Sequence, residues 1–211
     1  MDQPILTHVA GRNDQPRLKW FRSLVRGRTR VAMAWVFAAL LIFSARVYPS
    51  WPGVLLCFLG ASLRFWASAY LRKDTRPAVG GPYAFVRNPL YLGTYMMALG
   101  TALAVEAWVL LALCSVLFGL IYHFIILDEE IKLREIFGDP YRKYCMLVPR
   151  FFPQPWPASG MELNQVNPEQ TYQQYSWELA MKNKAYEAYA SFAGLIGFVA
   201  ICAFAWQRFA S

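Results

Sequence analysis

The sequence predicts an all-α, polytopic membrane protein with about five transmembrane helices and polar segments on the cytoplasmic side. Three observations predict it. Of the 211 residues, 57% are hydrophobic and only 16% are charged, against roughly 45–50% and 25% in soluble domains. Apolar runs of membrane-spanning length recur along the chain. The lysines and arginines gather in alternate connections between those runs, which is how a membrane protein sets its orientation.

A span needs about 20 mostly apolar residues. Residues 31–48 meet that requirement, and Trp51 and Pro52 then turn the chain into a second run over 53–71, which contains Arg64. The third run covers 89–105 and ends at Glu106; the fourth covers 108–127 and is followed at once by Asp128, Glu129 and Glu130. The fifth covers 189–206. A long basic stretch precedes the first run and no small-residue cleavage site follows it, so it reads as a span and not as a cleavable signal. Five segments follow: a basic N-terminal stretch (1–30), a two-helix hairpin (31–71), a core with two spans and two polar motifs (72–153), a connector (154–188) and a C-terminal span (189–211).

Arg17, Lys19, Arg22, Arg26, Arg28 and Arg30 precede the first span. Arg72, Lys73, Arg76 and Arg87 lie between the second and third, and Lys132, Arg134, Arg142, Lys143 and Arg150 follow the fourth. The other two connections carry neither lysine nor arginine. The positive-inside rule places the N-terminus, the second-to-third connection and the segment after span four in the cytoplasm. In so apolar a chain, the net charge of +8 fits anionic lipid headgroups and not nucleic acid. The cysteines Cys57, Cys114, Cys145 and Cys202 lack CxxC spacing and three of them lie in apolar runs, so they read as buried thiols in preference to a zinc or disulfide framework, and no metal-ligand spacing appears elsewhere.

Two polar junctions abut the apolar runs. Residues 81–93 read GPYAFVRNPLYLG and residues 129–144 read EEIKLREIFGDPYRKY. Polar groups at such depth must face water or be satisfied inside the protein. In the first, Gly81 and Pro82 make a turn, Tyr83 offers a ring, Arg87 a cation, and Asn88-Pro89 starts the next helix, whose free N–H groups favour an anion. The ordinary alternative is a loop with an interfacial tyrosine belt. In the second, the helical pattern continues span four or lies at the interface, and Gly138 and Pro140 stop it. Its carboxylates suit ribose hydroxyls or a cationic centre, or else form a solvated end to the span. Residues 158–172 read as a polar loop, and 177–189 as an amphipathic helix entering span five. Arg64 is either an intramembrane site residue or a snorkelling side chain. His123, with Leu127 and Glu130 on its face, is either a general base or a hydrogen-bonded structural histidine. No GxGxxG, P-loop or nucleophile elbow is present.

The two junctions resemble the isoprenylcysteine carboxyl methyltransferase and phospholipid methyltransferase superfamily of integral membrane enzymes. Gly81, Tyr83, Arg87, Pro89, Tyr91 and Gly93 match its first motif; Glu129, Glu130, Leu133, Phe137, Gly138, Tyr141 and Tyr144 match its second, with Val148 and Pro149 behind them. The resemblance covers about residues 53–153. It implies S-adenosylmethionine as methyl donor, a cytoplasm-facing pocket and a lipophilic acceptor from the bilayer. Carried over, Tyr83, Asn88, Pro89, Leu90 and Tyr91 line the cofactor and Glu129 binds it; the reading of the residues themselves adds His123, Glu130 and Arg64 as the candidate catalytic set. The chain departs from the pattern twice: Asn88 stands where the family has a histidine, and Ile125 where the carboxyl methyltransferases have an arginine. Asn88 cannot titrate, so it is no general base. The alternatives are a membrane reductase of the sterol-reductase kind using NADPH, and a non-catalytic lipid-binding homologue.

Overall fold

In the computed structural model, residues 28–72, 77–167 and 175–209 are described; the basic stretch 1–27, together with Lys73 and Arg76, lies outside them. The described chain is all helical, as predicted: α1 (Arg28–Ser44), α2 (Trp51–Ser68), a 3-10 turn (Gly81–Ala84), α3 (Pro89–Ala104), α4 (Trp108–Phe137), α5 (Asp139–Leu147), α6 (Gly160–Val166), α7 (Trp177–Lys182) and α8 (Tyr186–Phe209). The chain divides into two units, Met1–Leu40 and Leu41–Ser211, and the larger holds α2 to α8. Among the described residues, two helices, α4 with 30 residues and α8 with 24, are long and apolar enough to cross a membrane. Both carry exposed large apolar side chains, among them Val116, Leu117 and Leu120 on α4 and Phe198, Ile201 and Phe204 on α8. A soluble protein rarely leaves so much apolar surface to water.

The tightest packing joins α2 to α3, and glycine makes it possible. A Cβ placed on Gly53 would lie 2.2 Å from the Ala104 nitrogen, one on Gly60 2.6 Å from the Gly93 carbonyl, and one on Gly100 2.4 Å from the Cys57 nitrogen. Helices that meet in an apolar medium gain from such close backbone approach, where dispersion contacts are densest. Gly93, a motif position in the sequence, has a second duty: a Cβ there would come within 2.7 Å of Cγ of Arg64, so its bareness seats the arginine stem. Gly93→Leu is expected to lower the melting temperature in detergent markedly, since overpacking costs about 1–3 kcal/mol or more. Gly119→Ala should be neutral or stabilising, because nothing lies within 4 Å of a Cβ there. Equal melting temperatures for the two variants would contradict this packing.

At about 1.5 Å per residue, α4 runs some 45 Å, longer than a bilayer core of about 30 Å, with Glu129 and Glu130 near its C-terminal end on an unbroken helix. It ends at Gly138, whose φ of 59° suits glycine, and Pro140 opens α5. The connector differs from the sequence expectation. Residues 160–166 form α6 and not a loop, because Leu163 and Val166 are buried in a core with Val79, Ala84, Tyr141, Tyr144 and Val148. That burial is tertiary and leaves only a weak local pattern. The expected single helix over 177–189 is broken: α7 starts on a Ser176 cap that accepts from the Leu179 amide at 3.2 Å. It stops at Asn183, and α8 begins at Tyr186.

Candidate functional site

The two motifs meet through backbone pairing with the proline-rich segment behind them. The Arg87 amide donates to the Pro149 carbonyl at 2.9 Å, Gln154 to Phe85 at 3.1 Å and Ala158 to Ala84 at 2.9 Å. The Asn88 side chain donates to the Arg150 carbonyl at 2.9 Å, and the Tyr144 hydroxyl donates to the Tyr83 carbonyl at 2.7 Å. The asparagine amide donates to that carbonyl at any pH. The irregular stretch 149–158 is therefore a strap that fixes the first motif against the second.

Between them lies a cavity of about 580 Å³, within the roughly 300–1,000 Å³ of small-molecule sites. The first motif contributes Tyr83, Arg87, Asn88, Pro89, Leu90 and Tyr91, and α4 contributes Tyr122, Glu129, Leu133, Ile136 and Phe137. Arg64, Arg72, Thr94, Tyr141 and Tyr144 complete the polar lining. All six residues proposed from the sequence to line a cofactor are in its wall. The Tyr91 hydroxyl donates to Oε2 of Glu129 at 2.6 Å, short enough to be charge-assisted. Burial, reinforced by the negative charge of Glu129, raises the Tyr83 phenol well above its ordinary 10.0. Burial also raises Tyr141 and Tyr144. All three rings stay neutral near pH 7.

The three residues proposed as catalytic separate. Arg64 lines the cavity, and its guanidinium donates to Oγ1 of Thr94. Glu130 is absent from the lining: it is only 2% exposed and is held by arginines. Arg150 grips it through Nε at 3.1 Å and Nη2 at 2.9 Å, with Arg87 at 3.2 Å and Arg134 at 3.7 Å. Arg87 sits there by charge attraction and not by a formed hydrogen bond, and its buried Nε and Nη1 lack hydrogen-bond partners. His123 borders a different cavity of about 290 Å³, lined also by Tyr95, Ser115, Arg150, Phe151 and Phe152; Tyr122 faces both cavities. The arginine cluster and the strap are the parts that sequence reasoning missed. Their one signal is the run of Val148, Pro149 and Arg150 after the second motif. Among the described residues, no group of three His, Cys, Asp or Glu side chains is placed to hold a metal ion.

Residues 56–140 match the family described as Phospholipid methyltransferase. The chain is 33% identical over 94 residues to a protein-S-isoprenylcysteine O-methyltransferase of Schizosaccharomyces pombe, covering 44% of this chain and 40% of that one. It is 29% identical over 134 residues to the nickel-cobalt-cadmium resistance protein NccN of Alcaligenes xylosoxydans xylosoxydans, covering 63% of this chain and 58% of that protein. The chain thus spans about half the length of the curated relatives it matches. No solved structure matches it.

Proposed function

Because the chain belongs to the isoprenylcysteine carboxyl methyltransferase and phospholipid methyltransferase superfamily, we propose that it is an integral membrane enzyme transferring a methyl group from S-adenosylmethionine to a lipophilic acceptor from the bilayer. One observation carries this reading: a single cavity collects both motifs, with Glu129 on one wall and the α3 start on the other. When bound, S-adenosylmethionine supplies a methyl group already activated by its sulfonium, so the protein's task is positioning and electrostatics.

Each wall then has a part. The α3 start has no side-chain cap, and the unpartnered Arg87 N–H groups lie beside it; together they suit the donor's carboxylate. Tyr83, Tyr91 and Tyr122 offer neutral ring faces to the sulfonium. Glu129, oriented by Tyr91, accepts from the ribose hydroxyls. Glu130 is a positioning residue that holds Arg87 and the strap, and His123 takes no proton in this cavity because it borders another. Arg64 is kept for the acceptor.

In the same proposal α1, α2, α3, α4 and α8 cross the bilayer, with the N-terminus and the cavity on the cytoplasmic side, as the distribution of Lys and Arg requires. Calorimetry on purified protein in detergent is the first test: S-adenosylmethionine should bind and NADPH should not. Incubation with methyl-labelled donor in native lipid extract should then give a labelled lipid identifiable by mass. Binding of NADPH alone would replace this reading with a reductase, and binding of neither would leave a non-catalytic lipid-binding protein.

A further inference from the structure

Arg64 faces two chambers. Besides the donor cavity it borders a side chamber of about 210 Å³, shared with Leu71 and Leu90, whose far wall is the α7–α8 junction at Asn183, Lys184, Glu187 and Ala188. That wall lies beyond residue 140, where the family match ends. It is built firmly. The Asn183 side chain donates to the carbonyls of Ser68 at 2.8 Å and Leu71 at 2.6 Å, satisfying acceptors that the end of α2 leaves open. The junction turns back at Lys184, whose φ of 54° is a conformation that a non-glycine residue adopts at a cost. Surrounding structure therefore imposes the turn.

The charges around the chamber do not cancel. Lys184 pairs with Glu187 at 3.8 Å, so those two offset each other. Arg64 has no carboxylate partner among the described residues; its hydrogen bond is to the neutral Thr94. The donor cavity beside it adds Arg72 and Arg87 against one lining carboxylate, Glu129, and Glu130 is already shared by three arginines. S-adenosylmethionine carries one carboxylate against an ammonium and a sulfonium and would add positive charge. In surroundings of reduced dielectric, like charges a few ångströms apart repel strongly, and an anion at Arg64 relieves that repulsion.

We propose that the side chamber is an acceptor subsite that takes the anionic oxygens of an amphiphile's headgroup, a carboxylate or a phosphate, on Arg64, with the C-terminal helix forming one side of it. The inference rests on the methyltransferase reading for what the neighbouring cavity holds. Leu71, Leu90 and Ala188 give the first carbons of the chain an apolar wall, and the turn at Asn183–Lys184 closes the polar end.

The test uses the full chain in a neutral detergent, with oleate, oleyl phosphate, oleyl alcohol and oleylamine as probes, read by calorimetry. Oleate, oleyl phosphate or both should bind about tenfold or more tightly than the alcohol and the amine, since the attraction of opposite charges is lost with the alcohol and becomes repulsion with the amine; the stronger of the two anions identifies the headgroup. Arg64→Met should erase the preference and Arg64→Lys retain part of it. Lys184→Glu, which touches the side chamber and not the donor cavity, should weaken anion binding. Equal affinity of the wild-type protein for all four probes, or an anion preference that survives in Arg64→Met, would overturn the subsite. If Arg64→Met does not fold, the wild-type preference and the Arg64→Lys and Lys184→Glu variants decide. Wild-type binding of S-adenosylmethionine, measured alongside, keeps the two readings apart: donor binding without anion preference removes only the subsite, whereas absence of donor binding removes the methyltransferase reading.

Discussion

Glu129→Ala is expected to weaken S-adenosylmethionine binding by roughly 30–100-fold, with the protein still folded. The carboxylate lies in the cavity wall on α4, and the Tyr91 hydroxyl fixes its orientation from α3 at 2.6 Å. A carboxylate so placed can accept from both hydroxyls of a ribose. Hydrogen bonds to a charged group contribute about 1.5–3 kcal/mol, and about 1.4 kcal/mol is a factor of ten. Glu129→Gln keeps the shape and one acceptor oxygen but no charge, so its loss should be smaller. Tyr91→Phe should fall between wild type and Glu129→Ala, because it removes the orienting donor and leaves the carboxylate. Isothermal calorimetry measures all three; an unchanged affinity in Glu129→Ala would show that this carboxylate does not hold the donor.

Its neighbour should behave differently. Glu130→Ala is expected to destabilise the fold by about 3 kcal/mol, the lower end of the range for breaking a buried ion pair by removing one partner. The lower end applies because Arg134 and Arg150 keep some access to water, with side chains 46% and 34% exposed. Arg87, 9% exposed, does not, and would be left as a buried charge without its carboxylate. The melting temperature should fall clearly. Adding Arg87→Met to Glu130→Ala should recover part of the loss, since removing both partners costs less than stranding one. Any effect on the donor should follow from the released strap, because Arg150 links Glu130 to the carbonyl that Asn88 holds. A Glu130→Ala protein with a wild-type melting temperature and no activity would instead make Glu130 a residue that touches the reacting groups.

The contrast between these adjacent acids shows what kind of information each level holds. The sequence places both at the end of an apolar run, and no local rule distinguishes them. Successive residues on a helix point about 100° apart, so one faces the cavity and the other the strap. Which faces which depends on how α4 is rotated against α3, and that rotation is set by packing. Gly93 is similar: its place in the first motif is legible, but its contact with the Arg64 stem requires the crossing of α2 and α3. Residues 160–166 look like a loop in isolation because the apolar residues that bury them belong to distant parts of the chain, Val79 and Tyr144 among them.

Local composition and short fixed spacing carry the helical class, the apolar runs, the two polar junctions and the resemblance to the superfamily. The sequence also pointed to six residues of the cavity wall, Tyr83, Asn88, Pro89, Leu90, Tyr91 and Glu129, since both motifs supply neighbouring side chains at helix ends. Tertiary packing alone set where each candidate residue sits. It buried Glu130 under three arginines, moved His123 to a neighbouring cavity, tied Asn88 to the strap and set Arg64 beside the C-terminal helix. Those outcomes depend on the relative placement of segments far apart in the chain, such as Asn183 and the Ser68 carbonyl, 115 residues away. Close packing and charge pairing fix such placement, and neither leaves a periodic trace in the chain.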